Sequence, residues 1–271
     1  MADEKTLHPI FDQPPVIETV LGVQFAPLNG LTSAHVGWFW KQYLDKSWEK
    51  IAEAVPLPDE YERFEGSLPT QVRFSVGPFK FPARLQISWE NDGRMIQIQP
   101  TRFHYNWNRV GGEYPRYQSV RKEFDRYFET FRRFIADADL GEIVPNQWEL
   151  TYIDSIPPGT LWKTPADWPD VLPGLLSAAR SPKSVQLESV GGEWHYEIPP
   201  KRGRLHISVQ LARVGNDPGP VLLMQTTARG ALGKDGVNSL EDGLELGHQV
   251  TLDAFNEMTS DKAHKAWKRK S

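Results

Sequence analysis

The chain has 271 residues, no cysteine and a formal net charge of −4 at pH 7. The lack of cysteine excludes disulfides, thiolate metal sites and a cysteine nucleophile. The net negative charge provides no overall electrostatic attraction to nucleic-acid phosphates. No apolar run approaches the roughly 20 residues that span a bilayer, and the polar N-terminal stretch does not have the pattern of a secretory signal. We therefore expect a soluble, cytoplasmic protein.

The first half is predicted to contain a strand, a helix, three strands and a second helix. Apolar runs or alternation predict the strands, over 16–25, 71–76, 83–90 and 94–107. Apolar residues three and four apart predict a helix from near Thr32 to Pro56, and another from Pro115 to before Gly141. A two-residue turn at Asp92-Gly93 would pair Trp89 with Ile96.

The second half is predicted to follow the same order, except for its first helix. Strands are expected over 148–153 and near 185–198, 203–212 and 220–228, and a last helix from about Ser239 to Met258. The five prolines between 157 and 173 favour a loop where the first half has its long helix. The pentapeptide Arg84-Leu85-Gln86-Ile87-Ser88 returns as Arg204-Leu205-His206-Ile207-Ser208.

These patterns predict an α+β fold made of two pseudo-repeated halves, residues 1–145 and 146–271, in one integrated unit. Each half would add strands to an antiparallel curved sheet, with the long helices packed on one face. The returning pentapeptide is the main basis for this internal duplication.

The outward face of the predicted sheet is the main candidate for a binding surface. It carries amides, hydroxyls and a few arginines, whereas a solvated sheet face usually carries many Lys and Glu. Its members are Arg84, Gln86, Ser88, Gln97, Gln99, Thr101, Arg204, His206, Ser208 and Gln210, joined by Gln225 and Thr227 if the final strand keeps phase. The alternative is a face that binds nothing and is polar because strands favour such residues.

The side-chain pattern changes phase beyond Pro100. Phe103, Tyr105 and Trp107 then share the parity of the preceding glutamines. They form either an aromatic patch at the end of the polar surface or, after a bulge near Pro100, part of the core. The core interpretation is favoured, and an exposed patch would be a natural hot spot for a partner.

A second predicted hairpin sets His195 against His206 and Glu197 against Arg204. Two opposed histidines can hold a divalent metal, with Glu193 or Glu197 as a third ligand. A solvated histidine pair beside a salt bridge is favoured, because no helical His-Glu-x-x-His spacing supports a metal site.

The sequence shows no catalytic motif. Asp154, Glu149 and His104 lie on or near strands, but no spacing couples an acid to a base or nucleophile. Gly111-Gly112 precedes a helix but lacks the lysine and hydroxyl of a phosphate loop. The basic tail, 262–270, either contacts nucleic acid or another anionic partner or, as we favour, is a solvated terminus. We expect no cofactor, and an enzyme is disfavoured.

Four groups of residues along the chain are characteristic when they are taken together in their order. They are Pro15-Val16-Ile17-Glu18 with Gly22-Val23-Gln24-Phe25; Asn106-Trp107 with Tyr114-Pro115-Arg116-Tyr117; Glu149-Leu150-Thr151-Tyr152-Ile153; and Phe255 with Thr259, His264 and Trp267. In this order they resemble a sporadically distributed prokaryotic family of about this length, whose members have no assigned biochemical activity. The resemblance implies a cytosolic bacterial or archaeal protein that is patchily inherited, as genes of mobile or defence islands often are.

These observations favour a non-enzymatic binding protein. Its polar sheet face would bind a protein or peptide partner, such as a cognate component of a defence locus, or a second copy of the chain. One alternative is a nucleic-acid-binding protein that uses the same face and the basic C-terminal tail. Another is a metal-dependent hydrolase centred on His195 and His206. No membrane association is expected.

Overall fold

The computed structural model describes residues 10–64, 84–178, 182–215 and 219–270. The strands in this part of the chain are β1 (Ile10–Phe11), β2 (Val16–Phe25), β3 (Lys50–Ala54), β4 (Arg84–Trp89), β5 (Arg94–Gln99), β6 (Arg102–Asn108), β7 (Pro145–Ile156), β8 (Gly192–Ile198), β9 (Gly203–Ala212), β10 (Val221–Ala231) and β11 (Arg269–Lys270). Nine strands form one antiparallel sheet in the order β3-β4-β5-β6-β2-β7-β10-β9-β8, and β1 pairs with β11.

Three long helices lie on one side of this sheet. They are α1 (Ser33–Tyr43), α2 (Tyr117–Asp137) and α3 (Leu240–Met258), followed by the short α4 (Asp261–Ala266). Helix α2 packs on β2 and β6, α3 packs on β7 and β10, and α1 packs on α2 and β4. The predicted α+β fold with an antiparallel sheet is therefore confirmed. Among the helices of the described ranges, none has the length and apolar character needed to cross a membrane.

Side-chain alternation in the central strands separates the two faces of the sheet. In β2, Leu21, Val23 and Phe25 are buried in the core that α2 covers, while Gly22 and Gln24 lie on the opposite face. The stripe predicted for α2 is buried throughout. It consists of Tyr117, Val120, Phe124, Phe128, Phe131 and Ile135. Burial of this aromatic stripe stabilises the helix against the sheet.

The prediction of one strand over 94–107 is wrong. Pro100 and Thr101 form a turn between β5 and β6, and Gln99 pairs with Arg102. Because the chain reverses at this turn, Phe103, Tyr105 and Trp107 return to the core side of the sheet without a bulge.

The aromatic patch predicted as one alternative at this point does not exist. Phe103, Tyr105 and Trp107 pair with residues of β5 and are buried beneath α2. The favoured core interpretation therefore holds for all three rings, and none of them is offered to a partner.

The predicted first helix is too long. Helix α1 ends at Tyr43, and the chain then turns, with the Asp45 carboxylate accepting a hydrogen bond from the Ser47 amide. Residues 50–54 form β3 at the edge of the sheet. The helical spacing that continues to Ile51 is coincidental. The strand predicted over 71–76 lies outside the described residues.

The basic tail is folded, while its charged residues remain exposed, as expected of a solvated terminus. Trp267 is buried against Phe11 and Phe255. Arg269 and Lys270 form β11, which pairs with Ile10–Phe11. The Phe11–Trp267 contact and the β1–β11 pairing together hold residues 267–270 against the segment that contains β1.

Candidate functional site

The face of the sheet opposite the helices, here termed the polar face, carries the residues predicted for a binding surface. Cross-strand pairing places one row of side chains on it, from β4 to β8. The row is Gln86, Gln97, His104, Gly22, Glu149, Arg229, Arg204 and Glu197. Arg84, Ser88, Gln99, His206, Ser208 and Gln210 share its parity, as do Gln225 and Thr227. Thr101 lies in the turn at the rim, where its hydroxyl donates to Asp59.

A chain of amide hydrogen bonds crosses the first strands of the polar face. Gln86 Nε2 donates to Gln97 Oε1 at 3.1 Å, and Gln97 Nε2 donates to Asn106 Oδ1 at 2.8 Å. Asn106 Nδ2 then donates to Glu18 Oε1 at 2.6 Å. Burial raises the pKa of the Glu18 carboxyl, and the Asn106 bond opposes this rise. These side chains therefore hold one another in fixed orientations.

His104 and Glu149 meet at the centre of the polar face. Both flank Gly22, because β6 and β7 pair with opposite sides of β2. His104 Nε2 lies 3.8 Å from Glu149 Oε1. Burial, together with the charges of Arg102 and Arg84, holds the pKa of His104 well below its usual value. The imidazole is therefore neutral at pH 7. The positions of His104 and Glu149 in the sequence give no indication that the two side chains meet.

Residues 55–64, here termed the strap, lie across one end of the polar face. The Gln99 side chain accepts from the Leu57 amide at 3.0 Å and donates to the Leu57 carbonyl at 2.9 Å. Gln147 accepts from the Glu62 amide at 3.4 Å and donates to the Glu60 carbonyl at 2.7 Å. Gln99 and Gln147 therefore bind the strap through its backbone, as a neighbouring strand would do.

Two arginines and a histidine surround a carboxylate of the strap. The Glu62 side chain is 3% exposed, and its oxygens lie 2.5 Å from Arg204 Nη1, 2.6 Å from Arg229 Nε and 2.8 Å from His206 Nε2. Arg229 also pairs with Glu60. Burial lowers the pKa of Arg229 to about 10. Charge-assisted bonds of this kind offset the cost of burying Glu62.

The opposed histidines are present in the predicted register. His195 pairs with His206 across β8 and β9, and their Nδ1 atoms are 2.8 Å apart in a shared hydrogen bond. The second nitrogen of His206 bonds to Glu62. Within the described ranges, no group of three or more His, Cys, Asp or Glu residues could hold a metal ion.

Sequence reasoning missed the strap and several residues that bind it. Gln24, Gln147 and Arg229 face the strap from β2, β7 and β10. Their alternation with buried apolar residues is a usable signal, since Gln24 lies between Val23 and Phe25. Glu60 and Glu62 give no such signal, because the strap has no regular secondary structure.

The sequence matches no protein-family model and no curated protein. Among solved structures, the chain is similar to DynU16, a protein in the dynemicin biosynthetic locus, with a TM-score of 0.27 and 11% identity. The match covers 93% of this chain and 99% of that chain. At this TM-score the likeness supports no conclusion about fold or function.

Proposed function

We propose that the chain is a non-enzymatic binding protein whose polar face holds an extended, acidic segment of a partner protein. The observation that carries this proposal is the strap, which lies on the polar face as a bound peptide would. Its backbone is held by Gln99 and Gln147, and its Glu62 carboxylate is held by Arg204 and Arg229. The expectation that the partner belongs to a mobile or defence locus stays a prediction.

The contacts of the strap define the chemistry of such a partner. The glutamine contacts are made to backbone groups and so require an extended chain without selecting side chains. Selectivity comes from alternate residues: Glu60 and Glu62 on the arginines, then Phe64, whose ring centre lies 5.0 Å from the Arg204 guanidinium. A partner segment with acidic residues two apart, followed by an aromatic residue, fits this arrangement.

The strap also sets the energetic condition for binding. A partner that uses the same arginines must displace Glu60 and Glu62, which are covalently tethered and therefore at high effective concentration. Binding in trans is thus weak in the intact chain. It becomes stronger when the strap loses its carboxylates, because Arg204 and Arg229 are then left without their acidic partners.

Fluorescence polarisation with a labelled peptide of residues 56–64 tests this function. We expect the Glu60→Gln/Glu62→Gln double variant to bind the peptide at least roughly tenfold more tightly than the unmodified chain. The matched control is the same peptide with glutamine at both glutamate positions, which should bind neither protein. Failure of the double variant to bind the acidic peptide, or equal binding of the two peptides, would overturn the proposal.

The alternatives receive less support from the polar face. A nucleic acid, like an acidic peptide, would have to displace Glu60 and Glu62 from Arg204 and Arg229. It lacks the peptide backbone that Gln99 and Gln147 bind in the strap. A metal-dependent hydrolase would need further ligands beside His195 and His206, and among the described residues no group of three or more His, Cys, Asp or Glu could hold a metal ion.

We also infer that the two halves of the chain form one unit that arose by duplication. Outward from the central β2–β7 pair, the strand order is β6-β5-β4-β3 on one side and β10-β9-β8 on the other. Each run contains the last three strands of its half in reverse order, and a long helix follows in each half. The repeated pentapeptide lies on β4 and β9, which occupy different places in the two runs, so strand order is the support for duplication.

A further inference from the structure

A cavity of about 70 Å³ lies on the helix side of the sheet, away from the polar face. It is partly open and is lined by residues of β7, β10, α3 and the N-terminal segment. Its walls are mostly apolar and include the aromatic residues Phe11, Tyr114, Tyr152 and Phe255. One carboxyl group, that of Asp154, lines this apolar space.

Asp154 is buried without a counter-ion in direct contact. The residue is 4% exposed. The positive charge of Arg109 lowers the pKa of Asp154, but the Arg109 guanidinium donates its hydrogen bonds to the carbonyls of Val16 and Pro14. Burial outweighs this charge and raises the pKa of Asp154 to about 7. An ionised carboxylate in such a place is costly until a cation or donor reaches it.

A second polar group of the cavity is also unsatisfied. Thr226 Oγ1 is buried and has no hydrogen-bond partner among the described residues. Buried polar atoms without partners are rare in folded proteins, and each calls for an explanation such as a bound ligand. Asp154 and Thr226 thus provide polar groups within mostly apolar walls, which is the usual composition of a small-molecule site.

The walls of the cavity are held in place by contacts of their own. The Tyr152 hydroxyl shares a hydrogen bond with His248 Nδ1 at 2.9 Å. Phe11 packs edge-on against Phe255, with ring centres 5.5 Å apart, and β1 is fixed by its pairing with β11. The cavity is therefore a built feature of the fold and does not depend on a single side-chain rotamer.

We propose that this cavity binds a small apolar amine, with its ammonium group on the Asp154 carboxylate and its alkyl part against the aromatic walls. The ammonium supplies the charge that Asp154 lacks, and aromatic faces attract a cation further. A cavity of about 150 Å³ holds benzene. By the same comparison, a cavity about half that size takes about three non-hydrogen atoms, which is the size of ethylamine.

Three small probes test the proposal on the full chain at pH 8, where Asp154 is ionised. They are ethylamine, ethanol and acetate, and their binding is measured by saturation-transfer NMR and titration. We expect ethylamine to bind at least roughly tenfold more tightly than ethanol, and acetate not to bind. Equal binding of the amine and the alcohol, or no binding of the amine, would overturn the proposal.

Two variants locate the bound amine. Asp154→Asn keeps the side-chain shape and should reduce the affinity for ethylamine to about that for ethanol. Leu252→Trp, on α3 at the cavity wall, should block both probes. The control is Glu149→Gln, which removes a carboxyl from the same strand but from the polar face, and should leave amine binding unchanged. Retention of the amine preference by Asp154→Asn would contradict the proposed site.

Discussion

Arg204 Nη1 lies 2.5 Å from Glu62 Oε2, although the two residues are 142 positions apart in the sequence. This contact joins the strap to β9, and Arg229 and His206 complete the ring of donors around the same carboxylate. The strap is thereby anchored at a strand that belongs to the other half of the chain. The same arrangement stabilises the strap and is the basis of the proposed peptide binding.

Replacement of Glu62 by glutamine should destabilise the protein. The change leaves Arg204 and Arg229 partly buried with their charges poorly compensated, so we expect the free energy of unfolding to fall by about 1–3 kcal/mol. Urea denaturation measures this quantity. The control is Glu90→Gln, which breaks an ion pair with Lys50 whose side chains are 57% and 60% exposed and should cost less than about 0.5 kcal/mol. Equal losses of stability in the two variants would show that the bonds of Glu62 to Arg204 and Arg229 stabilise the fold no more than an exposed ion pair does.

Replacement of Gln147 by alanine should free the part of the strap around Glu62 from the polar face. The Glu62 amide donates to Gln147 Oε1, whereas the Leu57 amide donates to Gln99 Oε1. We therefore expect hydrogen exchange to accelerate at Glu62 and to change little at Leu57. The reciprocal variant, Gln99→Ala, should reverse this pattern. Uniform acceleration at both amides in either variant would mean that the strap detaches as a single unit.

Two glycine-to-alanine changes should have opposite effects on stability. A Cβ at Gly22 would lie 2.7 Å from His104 Cδ2, whereas a Cβ at Gly37 in α1 would meet no atom within 4 Å. We expect Gly22→Ala to lower the free energy of unfolding by about 1–3 kcal/mol through overpacking. Gly37→Ala should raise it by roughly 0.5–1 kcal/mol through helix propensity. Thermal or urea denaturation checks both signs, and tolerance of Gly22→Ala would exclude the tight packing of His104.

The buried carboxyl of Asp154 should make stability depend on pH. Its pKa in the folded state is about 7, above the value of about 3.9 in an unfolded chain. The folded state therefore holds a proton that the unfolded state releases. Between these two values stability falls as pH rises, and the loss is complete above about pH 7. The Asp154→Asn variant should lack this loss, which amounts to at most about 4 kcal/mol.

Urea denaturation of the protein and of Asp154→Asn at pH 5 and pH 8 measures this difference. The comparison isolates Asp154, because other titrating groups contribute equally to both proteins. The gain in stability from the substitution should be larger at pH 8 than at pH 5. Parallel pH profiles would mean that Asp154 titrates normally in the folded protein.

Local patterns predict the elements well where one face of a strand is buried. The predicted register of β8 and β9 is correct, because only one pairing puts the apolar residues together and sets Glu197 against Arg204. The predicted first hairpin is two residues out of register, since Ile87 pairs with Ile96 and Trp89 pairs with Arg94. A shift of two keeps every side chain on its face, so the polar face is unaffected by this error.

The candidate site on the polar face can be predicted only in part. Alternation alone assigns Gln86, Gln97 and Gln99 to a common face, since alternate residues of a strand lie on the same side of the sheet. It cannot identify the strap, because contacts such as that between Glu60 and Arg229 join residues 169 positions apart. Such pairings depend on the order of strands in the sheet, and a single sequence carries no periodic signal for them.

The most direct test of peptide binding on the polar face is hydrogen exchange at Leu57 and Glu62 with an acidic peptide in trans. The labelled peptide of residues 56–64 would be added at saturating concentration to the unmodified chain. Displacement of the strap predicts loss of protection at both amides, together with protection of the peptide's own amides. If the peptide becomes protected while Leu57 and Glu62 exchange at unchanged rates, it binds elsewhere, and the polar face is not the peptide site.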